Sequence, residues 1–279
     1  MSSKNKSNNT ALWDNNRNTI RSNKGGWVMG QGVYSHGYDM MEQLVGYKSY
    51  MQVMILNATG RMVSRELADW VEAVHICLSW PDPRIWCNQI GALGGSARCG
   101  VVAATVAGVM AADSRAYGSK PLIEGVEFIQ LAHQALEKGD SVETIVKNEC
   151  AKNGGKPFIV GYARPIAKGD ERIPAMERVT EALGFEMGSH LKLAYDIEKT
   201  LMHDFDEGMN INGYVSAFLS DQGLTALEIY MIFSIVVTSG VTACYVDTAG
   251  KPADTFLPLT CDDVVYEGKE YRRVPDINE

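Results

Sequence analysis

Chemistry on an anion calls for cationic and amide side chains, and Arg115, Arg164 and Asn212 supply such groups on separate segments of the chain. A guanidinium binds a carboxylate through two parallel hydrogen bonds and stabilises an enolate oxygen, and an asparagine amide can hydrogen-bond the same group. Arginine keeps its proton near neutrality, and asparagine accepts none. If the three meet in a closed cleft, they suit a carbanion formed by bond cleavage, as in decarboxylation or retro-aldol release, rather than by deprotonation of a methyl group.

The sequence around these residues resembles one enzyme family. Residues 161–172 read GYARPIAKGDER, which resembles the loop that citrate synthases and citryl-CoA lyases write as G-F-G-H-P-V-Y-K-x-x-D-P-R. Residues 210–214 read NINGY, similar to the family's N-V-D-G or N-V-D-F-Y. Residues 37–39 read GYD, similar to the G-Y-D-I near the start of short citryl-CoA-lyase-type proteins. An alanine-rich helix and the segment DSR at residues 113–115 follow in the family's order, so the resemblance covers most of the chain.

The resemblance implies a mainly α-helical protein with the two-lobe architecture of citrate synthase. The large lobe is expected at residues 27–117 and 217–279, the small lobe at residues 118–216, and the active site in the cleft between them. Residues 1–26 are polar and rich in Ser, Asn and Lys, so they bury too little apolar surface to order themselves. We expect them to form a flexible tail or a dimer-bound arm. A homodimer is expected, because large apolar helices at the dimer face belong to that fold.

The same resemblance implies that different residues occupy the family's catalytic positions. The family's aspartate, which removes a proton from the acyl-CoA methyl group, falls on Asn212, and its two histidines fall on Arg115 and Arg164. We therefore expect Arg115, Arg164 and Asn212 to stabilise an enolate in a carbon–carbon lyase that acts on a carboxylate or β-keto acid. An aspartate restored at position 212 is expected to be ionised between the two guanidiniums, and hence a poor base.

A retro-aldol reaction needs a base, and the candidates nearest in sequence are Tyr162, Asp113 and Asp170. Two alternatives stay open. The first is an acyl-CoA condensing or cleaving enzyme whose catalytic groups lie elsewhere. The second is a catalytically silent paralogue that binds a small acid, in which the arginines are ordinary ion-pair partners.

The loop at residues 161–172 also carries candidates for cofactor and substrate binding. Lys168 and Arg172 occupy matched positions and resemble the basic residues that contact CoA phosphates in the family. The resemblance thus implies coenzyme A as the carrier of a thioester substrate, with a solvated surface charge as the alternative. Tyr162, in the same loop, is expected to contact the substrate.

A second group of substrate-binding candidates comprises Arg84, Asn88 and Arg98. They lie where the family places part of its oxo-acid pocket, and cationic and amide groups suit a carboxylate ligand. The alternative is a helix-start turn with Trp86 as a core anchor. The arginine that the family carries near its C-terminus has no counterpart, since residues 245–251 read YVDTAGK. Citrate itself is therefore not an expected ligand.

Composition excludes several function classes. A net charge of −8 argues against a general partner of nucleic acid or anionic membranes, which attract clustered Lys and Arg. No apolar run reaches the roughly 20 residues that a membrane span needs. The six cysteines form no C-x-x-C pair and follow no secretory signal, which predicts reduced thiols in a cytoplasmic protein. The five histidines share no metal-ligand spacing, so no metal is expected.

Periodicity predicts helices for most of the chain. Ser64 is a predicted N-cap for a helix with apolar residues at three- and four-residue spacing up to Cys77. Similar patterns predict helices at residues 126–136, 176–183 and 190–202, and glycines predict their C-terminal ends. These glycines are Gly139, Gly184 and Gly208. The strand signals lie at residues 242–246 and 264–271, which predicts a small sheet near the C-terminus.

Overall fold

A computed structural model describes residues 10–115, 117–162 and 169–275. The protein is mainly α-helical, as expected. The α-helices are α1 (Ala11–Asp14), α2 (Tyr50–Thr59), α3 (Arg65–Leu78), α4 (Trp86–Ser96), α5 (Val101–Ala112), α6 (Lys120–Glu137), α7 (Val142–Lys152), α8 (Arg172–Ala182), α9 (Ser189–Phe205), α10 (Ile211–Asp221), α11 (Ala226–Ile232) and α12 (Thr238–Ala249). A π-helix spans Met40–Leu44 and a 3-10 helix spans Cys261–Asp263.

The helices belong to two compact units. The first comprises the described residues of Met1–Leu78 and Asp113–Val236, and the second those of Ser79–Ala112 and Val237–Glu279. This division follows internal packing. The expected lobes have other boundaries and remain a prediction. They are residues 27–117 with 217–279, and residues 118–216.

Helix α10 forms the centre of the first unit. Every residue from Gly213 to Ser220 is buried, because α6, α8 and α9 pack around it. The Trp70 ring of α3 stacks on Phe218 at 3.9 Å between ring centroids. The Trp70 indole N–H donates to Thr180 Oγ1 over 2.8 Å, and the Tyr214 hydroxyl lies 2.9 Å from the same oxygen. The polar groups of this aromatic core are thus satisfied, as burial requires.

Helix ends follow local side-chain chemistry where the sequence signals are clear. The Leu67 N–H donates to Ser64 Oγ over 3.2 Å, so the predicted cap of α3 is confirmed. Gly139 and Gly184 have positive φ angles of 101° and 76° just after α6 and α8, as expected for C-terminal glycines. At the end of α9 the left-handed position is Asp206, with φ 58°, and the prediction of Gly208 there was wrong. Aspartate tolerates this region through local hydrogen bonding.

The second unit depends on small residues. Gly91 of α4 and Gly108 of α5 lie against Val241 of α12, since an added Cβ would come within 2.4 Å of the Val241 carbonyl oxygen and 2.5 Å of its Cγ1, respectively. Thr248 donates from its hydroxyl to the Ala92 carbonyl over 2.7 Å. The three helices can therefore approach closely without a ligand between them.

The predicted strands near the C-terminus were wrong. Residues 242–246 lie inside α12, because the glycine faces of α4 and α5 pack against a helix there, and residues 264–271 form no strand. The three-stranded antiparallel sheet lies near the N-terminus, with order β1-β2-β3: Gly25–Val28, Gly32–Ser35 and Tyr38–Asp39. Part of the predicted N-terminal tail thus forms α1 and the start of β1, although its described residues are exposed. In the part of the chain that the structure describes, no helix is both long and apolar enough to cross a membrane.

Candidate functional site

The structure brings two of the predicted segments together at the start of α10. The Asn210 N–H donates to the Gly161 carbonyl over 2.9 Å, and Tyr162 forms a β-bridge with Met209. The backbones touch so closely that a Cβ on Gly161 would lie 2.7 Å from the Gly213 Cα. Gly161 also has a φ of 93°, which other residues rarely adopt. Both demands explain a glycine at the start of the loop.

Asn212 lies in the first turn of α10, where the Asn210 side chain caps the helix by accepting from the Asn212 N–H over 2.9 Å. The Asn212 side chain is held from two sides. Its Nδ2 donates to the Pro121 carbonyl over 2.9 Å, and its Oδ1 accepts from the Ser216 hydroxyl over 2.9 Å. Gly125 makes room for this amide, because a Cβ there would lie 2.8 Å from Oδ1.

These contacts require an amide, since one end must donate and the other must accept. The Asn212 amide keeps one N–H and one lone pair beyond those used by Pro121 and Ser216. It can therefore hydrogen-bond a ligand while staying fixed. The contacts also bear on an aspartate at this position, whose expected ionisation between Arg115 and Arg164 stays a prediction. One of its oxygens would face the Pro121 carbonyl oxygen, and no guanidinium among the described residues contacts Asn212.

Asp170 and Arg172 form a buried ion pair next to this turn. The Arg172 Nε donates to Asp170 Oδ1 over 2.7 Å, and its Nη2 donates to Oδ2 over 2.6 Å. The backbone N–H groups of Arg172 and Ile211 donate to the same carboxylate over 3.1 and 2.9 Å. Asp170 is thus tied both to the N-terminus of α8 and to that of α10.

The electrostatics of Asp170 follow from these four donors. Its side chain is 0% exposed and that of Arg172 is 14% exposed. Burial by itself would raise the pKa of Asp170, but the hydrogen bonds and charge of Arg172, with the Ile211 N–H, hold the pKa below its ordinary value of 3.8. Asp170 is therefore an ionised structural group and a poor base. The contact of Arg172 with CoA phosphates stays a prediction. The two hydrogen bonds to Asp170 hold the Arg172 guanidinium in one orientation.

Arg115 lies in an exposed turn of the first unit. Ser114 and Tyr117 form a β-bridge across this turn, and the Tyr117 hydroxyl donates to the Leu78 carbonyl over 3.2 Å. Next to Arg115, the Asp113 carboxylate accepts from the Tyr230 hydroxyl over 2.9 Å. This turn holds an exposed carboxylate two residues from an exposed guanidinium.

Tyr162 is buried, and its hydroxyl donates to the Ala194 carbonyl over 3.0 Å. Burial raises the pKa of this hydroxyl far above its usual range, so it stays protonated near neutrality. Tyr162 is consequently a poor base, and its hydroxyl proton is already used by backbone. The other two loop candidates, Arg164 and Lys168, lie outside the described residues.

The remaining candidates lie in the second unit, where their side chains contact backbone carbonyls or a neighbouring carboxylate. Arg84 is exposed and pairs with Asp82 through two nitrogens, and its hydrogen bonds lower the pKa of Asp82 to about 2. The buried Asn88 donates to the carbonyls of Trp80 and Asp82, each over 2.9 Å. Arg98 donates to two carbonyls at the end of α12. These are the contacts of a helix-start turn and a helix end, and substrate binding by these residues stays a prediction.

Sequence reasoning missed the residues that orient Asn212. Ser216 lies one helical turn further along α10, so its contact could have been found from the spacing of four residues. The Pro121 carbonyl is 91 residues away, and no local pattern indicates it. Among the described residues, no group of three or more His, Cys, Asp or Glu side chains could hold a metal ion.

Comparison with known proteins places this arrangement in a known fold. No protein-family model matches the chain, and no curated protein matches its sequence significantly. Citryl-CoA lyase from Hydrogenobacter thermophilus matches with a TM-score of 0.76 at 22% identity, over 92% of this chain and 97% of that one. The chain has the citrate synthase fold. The resemblance to the citrate synthase family that the loop motifs indicated is confirmed at the level of the fold.

Longer proteins with the citrate synthase fold also match. ATP citrate lyase from Methanothrix soehngenii, in complex with citrate and coenzyme A, has a TM-score of 0.74 at 16% identity, over 95% of this chain. Citrate synthase from Thermotoga maritima has a TM-score of 0.60 at 16% identity, over 82% of this chain. The matches span 44% and 60% of those two chains, respectively.

The buried Asp170 pair predicts a large and pH-dependent loss of stability on mutation. Asp170→Ala leaves the Arg172 guanidinium without its partner, which should cost about 3–5 kcal/mol of unfolding free energy at pH 7. Because the folded pKa of Asp170 is lowered, its contribution is present above the unfolded value of 3.8 and is lost as pH falls through the lower folded value. Urea denaturation from pH 7 to pH 3 should show the difference from wild type shrinking below about pH 4.

The matched control for Asp170 is Asp14→Ala, which removes an exposed aspartate from an arginine three residues away. It should change the unfolding free energy little, because exposed pairs contribute little. Equal effects of the two substitutions would contradict the structural role assigned to Asp170.

The hydrogen bonds of Asn212 predict that Asn212→Asp lowers the unfolding free energy when the new carboxyl group is ionised. At pH 7 a carboxylate oxygen would face the Pro121 carbonyl, which should destabilise the fold by about 1–3 kcal/mol. The folded pKa of the new carboxyl should be raised, so the penalty is present above that value and disappears as pH falls below the unfolded one. Urea denaturation at pH 7 and pH 3 measures this, with Asn148→Asp as control, because Asn148 is exposed and its side chain makes no hydrogen bond with a described residue. A variant as stable as wild type at pH 7 would show that the site accepts a charged carboxylate.

Proposed function

We propose that the protein is a carbon–carbon lyase that cleaves a carboxylate-bearing substrate presented as a thioester of coenzyme A. The observation that carries the proposal is the overlap with citryl-CoA lyase over nearly the whole of both chains. In the cleavage direction the carbanion is generated when the carbon–carbon bond breaks, and the proton that it then takes up can come from solvent. Asn212, which cannot remove a methyl proton, is compatible with that direction.

The retro-aldol reaction distributes charge as follows. A base takes the proton of the substrate hydroxyl, the carbonyl forms, and the electron pair of the breaking carbon–carbon bond moves to the thioester as an enolate. Arg115 and Arg164 are assigned to the enolate oxygen and substrate carboxylates, since a guanidinium offers two parallel N–H groups. Asn212 contributes the N–H that Pro121 does not use. A proton from solvent adds to the enolate carbon and completes the acyl-CoA product, and the base returns the hydroxyl proton to solvent.

Three residues are candidate bases from the sequence, and comparison of their contacts favours Asp113. Tyr162 is buried and protonated, and Asp170 is occupied by Arg172 and Ile211. Asp113 is exposed, and one of its oxygens accepts from the Tyr230 hydroxyl, which orients the carboxylate. The other oxygen can accept a proton. The proposal also includes decarboxylation of a β-keto acid, a reaction that would need no such base.

A catalytically silent, acid-binding protein is the second candidate. It is favoured by one observation, the engagement of both ends of the Asn212 amide by Pro121 and Ser216. An acyl-CoA enzyme with relocated catalytic groups is the third. It differs in its chemistry, because only that enzyme would exchange acetyl-CoA methyl protons with deuterated solvent.

We also propose that the protein is a homodimer. The support is α5, which is uncharged and leaves Val102, Val106 and Met110 on one side 72%, 50% and 72% exposed. Large apolar surfaces of this kind mark protein interfaces. Sedimentation as a 30.6 kDa species at micromolar concentration would contradict the dimer.

A ligand panel tests the proposed activity. Thermal melting with CoA, acetyl-CoA, citryl-CoA and free di- and tricarboxylates should show stabilisation by CoA thioesters, because a ligand that binds only the folded state raises its stability. Arg115→Ala should lower that shift without changing the ligand-free melting temperature, whereas the exposed Arg178→Ala should leave both unchanged. Asp113→Asn should abolish cleavage while keeping the shift, since an amide cannot act as the base.

The outcomes of the panel separate the candidates. Binding of a thioester without cleavage, measured by mass spectrometry of the products, supports the silent protein. Deuterium uptake by acetyl-CoA in D₂O supports the relocated enzyme. If no member of the panel raises the melting temperature, all three candidate functions are contradicted.

A further inference from the structure

An acidic groove lies between α6 and α7, with a volume of about 320 Å³. Its α6 wall presents Phe128, Leu131 and Ala135 at three- and four-residue spacing, which makes one apolar stripe. Ile145 contributes from α7. Leu131 is 63% exposed, so the described structure leaves the stripe uncovered. Apolar surface that is exposed in a concave site favours an apolar occupant.

Three carboxylates on the groove select the charge of that occupant. Glu124 and Glu127 lie on α6, and Asp140 lies in the turn before α7. None of the three side chains forms a hydrogen bond or ion pair with another described residue. Glu149 is different, because Lys152 pairs with it at 2.5 Å. The unpaired carboxylates favour a partner that presents cations around an apolar centre.

The C-terminal segment of the chain has that combination. Residues 264–275 contain no helix or strand. Tyr271 is 92% exposed and Val274 is 89% exposed. The cations Lys269, Arg272 and Arg273 flank these two apolar side chains, and they outnumber the two carboxylates of the segment, Glu267 and Glu270. An extended segment can place apolar side chains in a groove while its cations reach the sides.

We propose that the groove between α6 and α7 is a docking site for residues 269–275 of a second copy of this chain. Tyr271 and Val274 occupy the stripe formed by Phe128, Leu131 and Ala135. Lys269, Arg272 and Arg273 pair with Glu124, Glu127 and Asp140. Charge complementarity favours this occupant, and its strength should fall as salt rises, because the charges are exposed. This contact is independent of the proposed lyase reaction and of the α5 face.

Photo-crosslinking of the full-length protein tests the contact. Tyr271 is replaced by p-benzoylphenylalanine, and unlabelled variant chains are mixed with ¹⁵N-labelled wild-type chains. After irradiation, mass spectrometry should find the probe joined to peptides of α6 or α7, with one light and one heavy partner. Crosslinks within one chain, crosslinks to other regions alone, or no crosslinks at micromolar protein and low salt would each overturn the proposal.

Charge reversal sharpens the same experiment. Glu124→Lys with Glu127→Lys on the heavy chain should lower the crosslink yield at least tenfold. Combining that variant with light chains carrying Lys269→Glu, Arg272→Glu and Arg273→Glu should restore it. Glu181→Lys, an exposed reversal on α8, is the matched control and should leave the yield unchanged. An equal loss with Glu181→Lys would show that net charge, rather than the groove, governs the contact.

Discussion

The Asp170 carboxylate is the constraint on which the candidate site depends. It is fully buried, yet it receives four N–H donors, two from the Arg172 side chain and two from backbone at the starts of α8 and α10. Removing a charge from water is costly unless donors replace the lost hydration. Because these donors come from two helices, the carboxylate fixes both N-termini at once. The turn that carries Asn212 begins at one of them.

The same turn holds Asn212 through contacts that suit an amide. Asn212 is the residue that the motif at residues 210–214 predicts at the position of the family's catalytic aspartate. Here its amide both donates to Pro121 and accepts from Ser216. A carboxylate can only accept when ionised, so the surroundings of this position favour the amide. The asparagine is thus matched by its neighbours.

Low sequence identity and a shared fold are compatible because packing demands shape and apolar character rather than particular residues. At 22% identity to citryl-CoA lyase the fold still covers nearly all of both chains. Only some positions of the fold require one particular residue type. Gly161 and Gly213 must allow two backbones to touch, and Gly91 and Gly108 must allow α4 and α5 to reach α12. Such positions specify the architecture without specifying the reaction.

The sequence by itself determined the helical class, the N-cap at Ser64, the glycine ends of α6 and α8, and the two loop motifs that proved to be neighbours. These features depend on residues a few positions apart, whose hydrogen bonds and periodicity can be read along the chain. Tertiary structure decided the rest. Residues 242–246 have the composition of a strand but form a helix, because α4 and α5 offer glycine faces to a helix there. The contacts of Asn212 with Pro121 and of Asp170 with Ile211 join segments 91 and 41 residues apart. Which distant groups meet is set by the packing of whole helices, and local sequence carries no record of it.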